Sequence, residues 1–195
     1  YFGIKEIAIF RVLAFAGLRK GELIALNWSD VDFEQKTLSI KRNMTYLNGK
    51  QQLSEVKTTK SIRTISLDDG TLSILKKWKY TQAQELLQLG INPLQKTQPV
   101  FNRFSNYAFN EALYMLYPDT IIKKVLKLNP TLHKITVHGF RHTHASILIE
   151  SDANMKEIQE RLGHSTVQIT MDVYGHMTKK ALENTAEKFA KQVNF

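Results

Sequence analysis

In the segment TVHGFRHTHASILI, His138, Arg141, His142 and Ala145 fall at the three- and four-residue spacing of one helix face. Phe140, His144, Ile147 and Leu148 fall on another, which reads as the core face. The first face sets two imidazoles beside a guanidinium, three such groups on one short helix. His138 and His142 also stand at the i,i+4 spacing of helical zinc pairs. However, no Glu follows the first His, and Arg141 would repel a cation, so the residues argue against a metal. Any one of these residues alone reads better as part of a solvated polar face.

Three other segments carry reactive types. In LGHSTVQITMDVYGH, His164 lies just past a helix end, and Tyr174 lies ten residues on, before Gly175. A Tyr at a helix C-terminus before Gly can be partly exposed, although taken alone such a Tyr more often packs. In AGLRKGELIALNWSDVDF, Gly17 permits a tight approach, Arg19 opens a helix and Glu22 sits in its first turn. Guanidinium forks and helix N-termini both suit phosphate oxygens, and an acid in the first turn suits the helix dipole. In SEVKTTKSIRTISL, Lys57 stands at the expected tip of a β-hairpin, where a Lys is commonly a solvated edge residue.

The elements that must position these groups are mostly helical. Residues 4–16 read as a buried helix broken by Gly17, and a second helix runs from Lys20 to Leu26. Leu38, Ile40, Arg42 and Met44 alternate as a strand, and Asn48-Gly49 is a hairpin turn. A second strand reaches about Lys57, and a third covers Ile62 to Leu67 after a turn at 58–61. Together they predict one small three-stranded antiparallel sheet. Asp68 caps a helix over 69–89, and Pro93 and Pro99 mark a loop. Helical stretches are expected around 106–116 and 119–128, the latter stopped by Pro130. Thr136 caps a helix over 137–150, and Asn154 caps a short helix that Gly163 ends. Ser165 opens a helix over 166–174, and Thr178 opens a final amphipathic helix bearing Leu182, Phe189 and Val193. The fold class is α+β, mainly α.

Composition narrows the partners. The 195 residues hold 27 Lys and Arg against 18 Asp and Glu, a formal charge of +9 that favours a polyanion. There is no Cys, which removes disulfides, thiolate metal sites and Cys nucleophiles and fits a reducing cytosol. No apolar run reaches the length of a membrane span, and no signal peptide is visible. The chain opens at Tyr1 directly into an apolar helical pattern, which reads as a piece of a longer protein.

AGLRKGELIALNWSDVDF, VKTTKSIRTISL, HGFRHTHAS and LGHSTVQITMDVYGH resemble the four signature boxes of the tyrosine recombinases, in that family's order. The likeness covers about Ile4 to His176 and is nearest to integrases of phages and conjugative transposons. It implies the helical catalytic domain of a DNA breaking-rejoining enzyme, with Arg19, Lys57, His138, Arg141 and His164 around one phosphate and Tyr174 as nucleophile. Glu22 matches the family's supporting acid. No metal, ATP or other cofactor is implied. The implied partner is double-stranded DNA at attachment sites, engaged as a homotetramer, with a monomer expected in isolation. Separate N-terminal DNA-binding domains are expected upstream, and residues 178–195 are a candidate contact between protomers. The alternatives are a chromosome-dimer resolving recombinase, a type IB topoisomerase-like enzyme and a catalytically silent DNA-binding module. A native two-protein partnership marks the first, plasmid relaxation without strand exchange the second, and binding without a covalent intermediate the third.

Overall fold

Helix α1, Ile4–Ala16, carries Ala8, Ile9, Val12, Leu13 and Ala16 wholly shielded from solvent. Its sequence is apolar on nearly every side, the pattern of a helix surrounded by other elements. Gly17 ends it in the left-handed conformation, at φ 65°. The computed structural model describes residues 2–55, 62–105, 108–166, 168 and 171. Lys57, Tyr174, the expected turn over 58–61, most of the expected 166–174 helix and the expected final helix lie outside them.

Around α1 pack α2 (Lys20–Ile24), the long α3 (Asp69–Gln88), α4 (Tyr117–Leu128) and α5 (Val137–Glu150), with α6 (Met155–Leu162) against α5. The expected caps are present: Asp68 accepts from the Thr71 amide at 3.0 Å and Thr136 from the Gly139 amide at 3.0 Å. No helix among the described residues is long and apolar enough to cross a membrane.

The β region departs from expectation. The expected first strand is two strands, β2 (Thr37–Ile40) and β3 (Arg42–Leu47), interrupted at Lys41. The three-stranded antiparallel sheet consists of β1 (Val31–Asp32), β2 and β5 (Arg63–Ser66), in the order β1-β2-β5. Among the described residues, strand β3 pairs only with β4 (Lys50–Glu55), through a turn with positive φ at Asn48 and Gly49. Two positive φ values match a tight hairpin to the twist of its strands. Strands β4 and β5 therefore belong to different ladders.

The helix expected around 106–116 is replaced by an antiparallel hairpin, β6 (Asn102–Ser105) and β7 (Ala108–Ala112). Local propensity loses here to a buried amide network. Asn110, at φ 59°, accepts from Asn102 Nδ2 at 3.0 Å and from Gln98 Nε2 at 2.8 Å. Gln82 of α3 joins the network: its Nε2 donates to Asn102 Oδ1 at 2.8 Å and to the carbonyls of Pro99 and Val100. Its Oε1 accepts from Trp28 Nε1 at 2.6 Å.

Gln82 is buried, so its removal strands several polar groups at once. Gln82→Leu should cost about 2–4 kcal/mol, since each buried orphan typically costs about 1–3. Urea unfolding measures it, and a loss below about 0.5 kcal/mol would contradict the network's role.

Candidate active site

The last carbonyls of any α-helix lack partners within the helix. At the end of α6, Gly163 (φ 66°) turns the chain so that its amide reaches Glu160 O and the His164 amide reaches Gln159 O. That motif satisfies two carbonyls and leaves the next three facing outward. Each takes a different arginine. Arg63 Nε donates to Arg161 O at 2.8 Å, Arg141 Nη2 to Leu162 O at 2.6 Å, and Arg19 Nη2 to Gly163 O at 2.9 Å. The negative end of the helix dipole adds to the attraction. Residues 19, 63 and 141, distant in sequence, thus meet on three consecutive peptide units.

The end of α1 makes a second such surface. Gly17 O accepts from Arg141 Nη1 at 2.9 Å, Phe15 O from Arg161 Nη2 at 3.1 Å, and Ala14 O from His144 Nδ1 at 2.9 Å. The carbonyl fixes the His144 proton on Nδ1, leaving Nε2 to accept from Arg161 Nε at 3.1 Å. Arg141, on the expected catalytic helix face, is therefore buried with Ala145 and satisfied by main-chain oxygens. Ile147, expected in the core, is instead exposed.

Glu22 completes the frame. Its Oε1 accepts from Arg19 Nη1 at 2.8 Å and Arg63 Nη1 at 3.0 Å. Its Oε2 accepts from the Arg19 amide at 2.9 Å and Arg63 Nη2 at 2.9 Å. All four lone-pair positions of this carboxylate are filled. Burial alone would raise its pKa, but the bonds and charges of Arg63 and Arg19 hold it below the usual range. Three guanidinium groups, of Arg19, Arg63 and Arg141, surround the Glu22 carboxylate, so this cluster is a net cation. Arg141, desolvated by burial and pressed by Arg19, is pulled down to about 9. It remains protonated at neutral pH.

Residues 2–181 match the phage integrase family. The chain belongs to that family. It is similar to the ICEBs1 integrase of Bacillus subtilis (strain 168), 32% identical over 182 residues, which cover 92% of this chain and 47% of that protein. It is similar as well to a XerC-like tyrosine recombinase of Caldanaerobacter subterraneus subsp. tengcongensis, 31% identical over 192 residues, covering 92% of this chain and 48% of that protein. Among solved structures, the Tn1549 transposon integrase in complex with circular intermediate DNA superposes with a TM-score of 0.74 at 21% identity, over 95% of this chain and 60% of that one. The chain spans about half the length of the curated relatives it matches.

In this integrase-family domain, Arg19, Glu22, His138, Arg141 and His164 come together in one cluster, while Lys57 and Tyr174 lie outside the described residues. His138 stands edge-on to His142, ring centroids 4.5 Å apart. Among the described residues, no group of three or more His, Cys, Asp or Glu is placed to hold a metal ion. Sequence reasoning missed Arg63 and Arg161. The signal for Arg63 was present: in IRTIS it shares the inward face of β5 with Ile65, and an inward charge requires a partner.

Burial and the surrounding arginines keep the site histidines neutral. His164 is pushed down to about 4, first by burial and then by the charges of Arg141, Arg19 and Arg63. His138 is lowered by burial, His142, Arg141 and Arg19, and His144 is lowered chiefly by burial. An imidazole whose folded pKa lies below its unfolded value of 6.5 contributes full stability above that value. That contribution disappears as pH falls from 6.5 towards 4. The lowered pKa of Glu22 acts in the same sense. The urea midpoint should therefore drop steadily between about pH 7 and pH 4.5, and the His164 ring should titrate by NMR near 4. A midpoint flat over that window, or a His164 titration near 6.5, would contradict this electrostatic frame.

Proposed function

We propose that this chain is the catalytic domain of a site-specific DNA recombinase of the integrase type, which breaks and rejoins DNA through a covalent bond to Tyr174. One observation above all supports the reading: Arg19 and Arg141 are bonded to adjacent carbonyls, Gly163 O and Leu162 O, directly before His164. A phosphodiester resists attack because its oxygens are anionic, so catalysis requires fixed cations where that charge sits. Each of the two guanidinium groups has two of its five N–H groups engaged by the bonds just described, leaving donors for non-bridging oxygens. Arg19 remains 40% exposed and so within reach of a ligand.

In this scheme the Tyr174 oxygen attacks phosphorus in line, the P–O5′ bond breaks, and a 3′-phosphotyrosine forms with release of a 5′-hydroxyl. The link conserves the bond energy, so the reverse step rejoins strands without ATP. His138, neutral in its cationic setting, takes the phenol proton; Lys57 protonates the leaving 5′-oxygen; His164 donates a hydrogen bond to the phosphate. Glu22 holds Arg19 in place. The cationic side chains supply the charge stabilisation that a metal gives in other phosphoryl-transfer sites. The partner in this reading is double-stranded DNA at attachment sites, bound by a homotetramer that forms from monomers on the DNA. The remaining domains of the longer protein complete the grip on the duplex, and residues 178–195 join protomers. The setting is the cytosol. The likeness to a XerC-like recombinase supports a second reading, chromosome-dimer resolution, which a requirement for a second recombinase chain would reveal.

Two variants test the chemistry in the full-length protein. Tyr174→Phe should bind DNA almost as well as the wild type yet form no covalent adduct on a nicked attachment-site substrate, read on a denaturing gel. An adduct persisting in the variant removes Tyr174 as nucleophile. Arg141→Lys should slow cleavage by at least ~10²–10³, because one ammonium cannot replace a fork held by Gly17 and Leu162. Cleavage within a few-fold of wild type would take Arg141 out of the phosphate site.

A further inference from the structure

Arg63 belongs to none of the segments' expected reactive positions, yet it has more bonds in the cluster than its exposure would suggest. Its side chain is 6% exposed. Nη1 and Nη2 grip the two oxygens of Glu22, and Nε grips Arg161 O at the end of α6. All three of its nitrogens are thus engaged inside the protein. Its effect on the site runs through its two partners.

The electrostatic argument is specific. Glu22 is 2% exposed and shares its single negative charge between Arg19 and Arg63. With Arg63 present, half of the carboxylate's lone pairs are occupied by its Nη1 and Nη2. Without it, the whole charge of Glu22 falls on Arg19, which is drawn towards the carboxylate and partly neutralised. The steric argument agrees. A Cβ on Gly163 would stand 2.8 Å from Arg63 Nη1 and 3.2 Å from its Cδ, so the guanidinium is packed directly under the peptide that holds Arg19 and leads to His164. Arg63 is also the first residue of β5, the strand that receives the connection bearing Lys57.

We infer that Arg63 is a positioning residue of this site, which sets the Arg19 guanidinium through Glu22 and sets His164 through the end of α6. The inference rests on the recombinase reading above for its catalytic meaning. Misplacing preorganised groups by about an ångström costs on the order of 10²-fold in rate.

The test uses the full-length protein carrying Arg63→Lys, Glu22→Gln and both together, at a temperature where circular dichroism shows each folded. Single-turnover cleavage of a nicked attachment-site substrate should fall ~10²-fold in Arg63→Lys, with DNA affinity within about threefold of wild type. The double variant should be no slower than the slower single variant, because both act along one path. Rates that multiply, or a wild-type rate in Arg63→Lys, overturn the inference. Orthovanadate titration gives a readout independent of turnover: Arg63→Lys should weaken binding at least tenfold, and unchanged affinity overturns the inference. If the wild type itself forms no adduct, the recombinase reading fails, and the vanadate result still decides the role of Arg63. Should Arg63→Lys not fold, the Nε–H resonance of Arg63 in the wild type should shift when orthovanadate is added, and an unmoved resonance overturns the proposal.

Discussion

Three consecutive carbonyl oxygens at the end of α6 organise this domain. Backbone carbonyls are strong acceptors that cannot be left bare inside a protein. Guanidinium groups cannot be crowded together without compensation, since two charges 4 Å apart repel by about 4 kcal/mol at an effective dielectric near 20. The structure meets both constraints with one set of contacts: Arg63, Arg141 and Arg19 on the oxygens of Arg161, Leu162 and Gly163. Glu22 offsets part of the remaining repulsion. The residual positive charge is fixed in advance, so in the proposed reading a phosphate would meet charge already gathered for it.

Because that cluster draws on α1, α2, β5, α5 and α6, the fold around it is largely a means of bringing five chain segments to one place. The apolar interior of α1 sets the position of Gly17, and through it Arg141. Arg63 leaves β5 on the same face as Ile65 and there meets the end of α6. Even the neutral His144 has a structural part, bridging the end of α1 to Arg161.

Much of this was legible in the amino-acid order. The helices at 4–16, 69–89 and 137–150 announce themselves through periodicity, Gly17 and the capping side chains Asp68 and Thr136. Arg19, Glu22, His138, Arg141 and His164 were singled out through the family resemblance, and the structure brings them near one another. What stayed hidden was set by long-range pairing. A strand reads the same whether its partner is β4 or β2, so nothing local showed that Lys41 divides two ladders. The segment after Asn102 has the local composition of a helix, and only the amides of Gln82, Gln98 and Asn110 make it a hairpin. Arg141 looked like a residue for a solvated face because its partners are main-chain oxygens, which leave no mark in the side-chain sequence.

That last point bears on how such a domain can change over generations. The outer residues of α6, among them Lys156, Glu157 and Glu160, point to solvent and hold nothing in the cluster. Their identities are free to drift, since any good helix former keeps the same carbonyls in the same places. The number of residues is not free. One insertion or deletion within α6 would turn its end by about 100°, sending the three oxygens away from their arginines together, so this element is constrained in length far more tightly than in composition.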